Sequence, residues 1–381
     1  MTHFDFPRGY APHRSSSATR RQLIRLGLGA AAGIAGVSRG ATGALYETAA
    51  QSLAAQPSVA LGAYIPLALD DPAVLQDFAA AIGRDLDFVV WYEGWSNGDF
   101  GDGARAYLET MDQWNLTPVI AWDPMEQDGP PIDQPLYALA NIIRGDFDPY
   151  IDSWAQGLAA YGKPVFLNFA HEMNGNWYPW GIGVNGNQPG EFVQAWRHVH
   201  DRFSALGASN VRWVWTPNEM YADVPATVEE VYPGDDYVDW FGMNGFNWGA
   251  AIRWGSCDCQ SAWRTFNEVF STTYDRLVSL APKPIMIGET ASAERGGDKA
   301  AWITDALLVQ LPEHYPQIRA VAWFNKVATG LDTVEPGVVE ATTEVDWRVT
   351  SSTAALEAFA EAVNTPYYQG SLLTSGMLDS A

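Results

Sequence analysis

Cysteine is scarce in this sequence. Only Cys257 and Cys259 occur among 381 residues, one residue apart. Two thiols cannot complete a structural zinc site, and no histidine pair lies close to them in the sequence. Two states stay open for the pair, a disulfide in an oxidising compartment or two reduced thiols, and neither implies a role in catalysis.

Positive charge is also scarce, with 22 Lys and Arg against 45 Asp and Glu and a net charge of −23. Residues 1–56 hold six arginines against Asp5 and Glu47, a net of +4, so the remainder carries −27. Such a field repels nucleic acid and anionic membranes, and we expect neither as a partner. A solubilising acidic surface is the simplest interpretation of the charge.

No apolar run near the N-terminus is long enough to span a bilayer. The uncharged run 26–37 follows the pair Arg20-Arg21 and precedes small residues. Basic, apolar and then small residues is the order of a secretory signal, and a run of about a dozen residues is too short for a membrane span. The twin arginine favours the Tat variant. We expect residues 1–56 to be a Tat-type signal peptide and flexible N-terminus, cleaved within 41–56, and the protein to be extracellular or periplasmic.

A glycine-rich phosphate turn is missing after the early strands, and no repeat or linker divides residues 57–365. Instead, short apolar runs recur at intervals suited to a strand, a helix and two loops. Several are apolar on both alternating faces, as strands buried on both sides must be. The pattern predicts an α/β fold, a single-domain (β/α)8 TIM barrel, with a doubly wound sheet as the alternative. Residues 366–381 are predicted to form a loose C-terminal tail. The eight runs are 59–66, 87–95, 117–124, 164–172, 211–218, 238–248, 284–292 and 318–326.

Aromatic residues are abundant, with 17 Trp, 16 Tyr and 16 Phe. Clustered at strand ends, such residues more often line a site for a ligand with broad apolar faces, and sugar rings are the common case. The stretch "HEMNGNWYPWG" at 171–181 has this character, because a buried strand stops there on a histidine and a carboxylate.

Two glutamates stand out among the polar strand ends. Glu172 closes the fourth run and Glu289 closes the seventh. In a (β/α)8 barrel the working residues project from the C-terminal ends of the strands. Two carboxylates that face each other across a barrel opening rich in tryptophan are the catalytic groups typical of a glycosidase. In such an enzyme one carboxyl is held protonated and the other ionised. This chemistry needs no metal and no cofactor, and none is expected.

The string at 171–181, together with "IGETAS" at 287–292, resembles glycoside hydrolase family 26 over about residues 57–365. The resemblance implies a retaining enzyme on a (β/α)8 barrel. It assigns Glu172 the role of acid/base, Glu289 that of nucleophile, and His171 that of orienting or tuning its neighbour.

The same resemblance implies sugar platforms. Trp323 matches the family's eighth-strand tryptophan, which lies under the sugar at the cleaved bond, and Trp177 and Trp180 are expected to stack neighbouring sugars. Strand-end carboxylates can bind sugar hydroxyls or cap the following helix. The further candidates for substrate contact are Glu93, Asp123, Asn218 and Phe246.

The sequence departs from the family at the sixth strand and at one position of the fourth. Asn244 and Phe246 stand where relatives usually carry Asp and Tyr, and Asn168 stands where an Arg is common. The family's tyrosine hydrogen-bonds the nucleophile, so Phe246 is expected to remove one hydrogen bond from Glu289.

These features together predict an exported, monomeric, retaining endo-β-glycosidase that acts on a polysaccharide or oligosaccharide. The resemblance favours β-1,4-mannan, with mixed-linkage β-glucan and β-1,3-xylan as alternatives. A carbohydrate-binding protein that has lost turnover and a transglycosylase are the competing hypotheses.

Overall fold

A computed structural model describes residues 58–221, 224–250, 253–254, 259–328 and 345–375. The predicted signal segment 1–56 lies outside the described residues, and so does Cys257 of the cysteine pair. Within the described ranges, no helix combines the length and the apolarity that a membrane crossing requires.

Eight parallel strands close into a barrel, in the spatial order β1-β8-β7-β6-β5-β4-β3-β2. Each strand falls inside one of the eight apolar runs, and the predicted (β/α)8 barrel is confirmed. Nearly every strand residue is buried, as expected for strands covered on both faces. The strands are β1 (Ala60–Tyr64), β2 (Phe88–Gly94), β3 (Thr117–Asp123), β4 (Val165–Phe169), β5 (Val211–Trp215), β6 (Trp240–Asn247), β7 (Ile285–Ser292) and β8 (Ile318–Phe324).

Helices cover the outside of the barrel between most successive strands; between β5 and β6 the described residues form only two 3-10 turns, Glu229–Val231 and Asp235–Tyr237. The first helix begins where the Asp71 side chain accepts from the Ala73 amide, with Pro72 in its first turn, and it ends at Gly83, whose φ is 81°. A π-helical stretch, Asp305–Gln310, joins α7 to α8. The helices are α1 (Pro72–Ile82), α2 (Asp102–Gln113), α3 (Leu139–Ile143), α4 (Asp148–Tyr161), α5 (Glu191–Ala205), α6 (Phe266–Leu280), α7 (Lys299–Thr304), α8 (Leu311–His314), α9 (Thr353–Val363) and α10 (Leu372–Ser375).

Two short antiparallel strand pairs lie in the loops that follow β6 and β8. Arg253–Trp254 pairs with Cys259–Gln260, and Val327–Ala328 pairs with Val345–Asp346. Because both loops leave the C-terminal ends of barrel strands, they belong to the face on which barrel enzymes carry their sites.

The interface between barrel and helices is strongly aromatic. The Trp122 indole of β3 stacks on Tyr150 of α4, with 5.6 Å between ring centroids and 13° between ring planes. The Trp154 and Phe203 rings also pack against Trp122. Part of the tryptophan content is therefore core, where each ring buries a large apolar area.

The chain after residue 365 is packed against the barrel as far as the structure describes it. Tyr367 and Tyr368 are buried. The Val59 amide donates to the Tyr367 carbonyl at 2.7 Å, and the Tyr368 hydroxyl donates to the Leu307 carbonyl at 2.8 Å. The prediction of a loose tail from residue 366 is wrong for this part, because its aromatic side chains cover the barrel end at which β1 begins.

Candidate active site

Glu172 follows β4 on a short stretch of unusual backbone. Ala170 and Glu172 have φ values of 48° and 55°, in the left-handed region that residues with a side chain seldom adopt. The Glu172 amide donates to the carbonyl of Thr216 at 2.7 Å, directly after β5. Strained backbone of this kind persists only where surrounding contacts hold it, and it is common at functional sites.

Both carboxylate oxygens of Glu172 are held by donors. The Trp177 indole donates to Oε2 at 2.8 Å, and the Asn244 amide group donates to Oε1 at 3.0 Å. The Trp177 ring lies over Gly175, where an added Cβ would come within 2.4 Å of it. The position of the Glu172 carboxylate therefore depends on a glycine that leaves room for an indole.

Glu289 sits on β7, in register with Asn244 of β6. The Tyr92 hydroxyl of β2 donates to its Oε1. Nε2 of His171 lies 3.9 Å from the same oxygen. Although Phe246 offers no hydroxyl, Glu289 keeps a tyrosine hydrogen bond, supplied from a different strand.

The His171 imidazole lies between the two glutamates and is held at both nitrogens. Nδ1 is 2.9 Å from Oδ1 of Asp123, and Nε2 is 3.2 Å from the Tyr178 hydroxyl. The Trp180 indole donates to the His171 carbonyl at 2.7 Å. These contacts fix the ring beside Glu289.

The charges in the site shift the pKa values of its groups. Burial raises the pKa of Glu289 to about 7, with the charge of Glu172 adding to the rise, while His171 and the Tyr92 hydrogen bond pull it down. For His171, burial favours the neutral ring, but Asp123 and the two glutamates outweigh it and raise the pKa to about 9. His171 is therefore cationic at neutral pH and favours the ionised form of Glu289.

Residues 111–251 match the family described as glycosyl hydrolase family 26. The chain belongs to this family. Endoglucanase H of Acetivibrio thermocellus is 36% identical over 307 residues, which are 80% of this chain and 30% of that protein. The mannan endo-1,4-β-mannosidase A and B of Caldalkalibacillus mannanilyticus is 31% identical over 105 residues, 26% of this chain and 20% of that protein.

A solved family 26 structure shares the fold. The GH26 β-mannanase from Bacteroides ovatus superposes with a TM-score of 0.56 at 18% identity, over 88% of this chain and 98% of that one. The matches to the two relatives above, in contrast, span less than a third of each relative's length.

Two tryptophans that the resemblance to family 26 made sugar platforms are buried. Trp180 is fully buried and stacked on Tyr178, with centroids 4.5 Å apart and planes 14° apart. Trp323 points to the helical layer, where its ring contacts Phe359 of α9 at 5.2 Å. The platform predictions for Trp180 and Trp323 are wrong, because neither ring has a face open to a ligand.

Trp177 differs, since it is only partly buried and touches Glu172. The prediction that it stacks a sugar stays a prediction.

A wall of aromatic rings lies at the C-terminal ends of β6 and β8 in this family 26 chain. The Phe246 ring lies 5.6 Å from Phe324 and 5.1 Å from Trp347, and the Trp248 ring lies 4.9 Å from Trp347. The wall consists of Phe246, Trp248, Phe324 and Trp347. Phe246 stays a predicted substrate contact, and the partly buried Trp248 beside it is a candidate that the sequence did not single out.

Glu93 does not face the barrel mouth. Its oxygens accept from Trp91 Nε1 at 2.9 Å and from Asn97 Nδ2 at 3.0 Å, and burial raises its pKa to about 7. Side chains alternate along a strand, and because Tyr92 reaches Glu289 in the interior, Glu93 points outward. Its prediction as a sugar contact is wrong.

Asp123 points inward, but only 1% of it is exposed and it is engaged with His171. It is a positioning residue for the imidazole, and its prediction as a direct sugar contact is wrong. Asn218 is partly buried, and the side chain of Asn174 pairs with its backbone amide and carbonyl. Its contact with substrate remains a prediction.

Two functional contacts in the site, those of Tyr92 and Asn244, were not predicted from the sequence. Alternation along β2 puts Tyr92 and Glu93 on opposite faces of the strand, so only one of them can face the barrel interior. Once any interior position of β2 is known, this rule identifies Tyr92 as the inward residue. Among the described residues, no group of three or more histidine, cysteine, aspartate or glutamate side chains is arranged to hold a metal ion.

Proposed function

We propose that this chain is a retaining endo-β-glycosidase that cleaves a β-linked polysaccharide by double displacement. The observation that carries the proposal is the linkage of two buried glutamates through one asparagine. Asn244 is the register partner of Glu289 and the hydrogen-bond donor to Glu172. Paired carboxylates from different strands at one barrel mouth are what acetal cleavage with retention requires.

In the first step, the Glu289 carboxylate attacks the anomeric carbon while Glu172 gives its proton to the departing glycosidic oxygen. A glycosyl ester on Glu289 and a shortened chain with a free hydroxyl result. In the second step, Glu172 takes a proton from water, the resulting hydroxide equivalent attacks the anomeric carbon, and Glu289 leaves as a carboxylate. The cationic His171 beside Glu289 favours the carboxylate at the start and at the end of this cycle.

A β-linked glucan is the substrate that we propose first. The relative called Endoglucanase H is aligned over 80% of this chain at 36% identity. For this reason we place a β-glucan before β-1,4-mannan, whereas the sequence alone favoured mannan. The second candidate is β-1,4-mannan, favoured by 31% identity to a mannan endo-1,4-β-mannosidase over a shorter segment of 105 residues.

The test is a polysaccharide panel with chromatography of the products. Mixed-linkage β-glucan, β-1,4-mannan and β-1,3-xylan are incubated with the enzyme, with Glu172→Ala and with Glu289→Ala. We expect oligosaccharides from one polymer, first formed with retained anomeric configuration, and a loss of at least about 10³-fold in both variants. On an aryl glycoside, whose leaving group departs without protonation, azide should rescue Glu289→Ala with an inverted glycosyl azide and Glu172→Ala with a retained one.

Other results would favour the competing functions. Wild-type rates in both variants would contradict the catalytic assignment. Retardation in affinity gels without release of reducing sugar would favour a binding protein, and early products longer than the substrate would favour a transglycosylase.

We also propose that the protein is exported through the Tat route, on the basis of Arg20-Arg21 and the uncharged run 26–37. Fusion of residues 1–56 to a reporter that is active only after export tests this. Replacing both arginines by lysine should retain the reporter in the cytoplasm, and export by the double variant at the normal rate would contradict the proposal.

A further inference from the structure

Phe246 leaves the nucleophile without a hydroxyl donor from β6, yet Glu289 accepts a hydrogen bond from Tyr92. The donor strand, β2, is not a neighbour of β7, because β1 and β8 lie between them in the barrel. The hydroxyl therefore reaches Glu289 across the interior of the barrel and not along an adjacent strand.

The Tyr92 ring is fixed by other rings. It stands edge-on to Tyr64, with 4.7 Å between centroids and 83° between planes, and 5.9 Å from the His171 ring. Tyr64 in turn stacks on Phe324 at 5.1 Å. A ring held on two sides keeps its hydroxyl pointed at one place, which is the geometry that a positioning donor needs.

We propose that Tyr92 is the positioning residue for the nucleophile and that it takes over the hydrogen bond that a β6 tyrosine would otherwise supply. This inference rests on the proposed function and adds a residue to its machinery. The Tyr92 hydroxyl and Nε2 of His171 both lie at Oε1 of Glu289. Oε2 is then the oxygen that attacks the anomeric carbon.

This arrangement serves both steps of the reaction. When Oε2 forms the bond to the anomeric carbon, Oε1 becomes the carbonyl oxygen of the ester, and the tyrosine hydroxyl continues to donate to it. When water displaces the ester, negative charge returns to the carboxylate and the same hydroxyl stabilises it. Tyr92 neither gains nor loses its proton during the cycle.

The surroundings of Tyr92 keep its hydroxyl protonated. Burial, together with the charge of Glu289, holds its pKa well above the usual value of 10.0. The hydrogen bond in turn lowers the pKa of Glu289, so that removal of the hydroxyl should raise it. The titratable groups that face Glu289 are Tyr64, Tyr92, Asp123, His171, Glu172 and Tyr178.

Tyr92→Phe removes the hydroxyl and keeps the ring. In protein labelled with [δ-¹³C]glutamate, the Glu289 resonance is assigned by its loss in Glu289→Gln and titrated by NMR. We expect the pKa of Glu289 to rise by about one unit in Tyr92→Phe. The matched control is Tyr161→Phe, whose hydroxyl donates to Asp112 at 2.7 Å in the helical layer, and it should leave the titration unchanged.

Kinetics on the polymer that the enzyme cleaves form the second arm. In Tyr92→Phe the acidic limb of kcat/KM should move to higher pH by the same amount, kcat should fall about tenfold, and KM should change less than about twofold. An unchanged pKa of Glu289 in a folded Tyr92→Phe protein overturns the inference, whatever the activity. The NMR titration needs no substrate, so it tests the contact independently of the proposed function. If the pKa of Glu289 rises in Tyr92→Phe but the wild-type protein cleaves no polymer, the positioning contact is supported and the glycosidase proposal is contradicted.

Discussion

The side-chain amide of Asn244 lies 3.0 Å from Oε1 of Glu172. Asn244 is also the β6 residue in register with Glu289 on β7. Gly288 makes this arrangement possible, since a Cβ there would come within 2.7 Å of Oδ1 of Asn244. One asparagine thus ties the position of the first glutamate to the strand that carries the second.

Asn244→Ala should weaken the placement of the general acid. We expect kcat/KM on the polymer to fall about tenfold or more, because the Glu172 carboxyl loses one of its two donors. An aryl glycoside with a good leaving group should suffer less, since its departing oxygen needs little protonation. The control is Asn364→Ala, which removes an exposed amide far from the barrel mouth. Equal losses on both substrates would contradict a role in placing the acid.

The pH dependence of activity should have an acidic limb close to neutrality. Glu289 must be ionised to attack, and its pKa is raised to about 7, so that kcat/KM should fall as the pH drops below that value. A profile of kcat/KM from about pH 4 to 9 measures the limb. A limb near the ordinary glutamate value of 4.5 would show that Glu289 does not control it.

His171→Gln should move that limb to higher pH. The imidazolium, with its pKa raised to about 9, favours the ionised form of Glu289, and the neutral amide removes this support. His198→Gln is the matched control, because His198 pairs with Asp148 at 2.7 Å in the helical layer. The control should leave the profile in place, and a limb that stays fixed in His171→Gln as well would contradict the electrostatic coupling.

The fold could be predicted from the sequence because strands covered on both faces leave short, nearly uninterrupted apolar runs. Each of the eight runs contains one barrel strand. The positions of Glu172 and Glu289 at the polar ends of two runs followed from the same pattern. These are local properties, and a single sequence records them directly.

The errors at Glu93 and Trp323 concern which face of a strand each side chain occupies. That choice depends on the barrel register, in which a shift of one residue exchanges interior and exterior. The hydrogen bond from Tyr92 to Glu289 joins residues 197 positions apart, and no local sequence pattern around either residue predicts it. Contacts of this kind arise from the closure of the barrel and not from a motif.

Gly175→Ala should reduce activity more than stability. The added Cβ would stand 2.4 Å from the Trp177 ring, so the indole must move away from Oε2 of Glu172. We expect kcat/KM to fall at least about tenfold, with a small change in the midpoint of thermal unfolding. Gly103→Ala is the control, because a Cβ at Gly103 meets nothing within 4 Å and lies in α2. Full activity in Gly175→Ala would show that the Trp177 contact is dispensable.

Trp323→Phe separates packing from sugar binding on β8. The indole fills the space between β8 and α9, and its Nε1 donates to the Trp347 carbonyl at 2.8 Å. Its truncation should lower the free energy of unfolding by about 1–3 kcal/mol, measured by urea denaturation, and leave KM unchanged. Trp177→Phe should impair activity on the polymer and leave the free energy of unfolding nearly unchanged. It removes the donor to Glu172 from a partly buried position, and the core loses little packing. If Trp323→Phe raised KM without loss of stability, the ring would have to reach the substrate in a conformation different from this one.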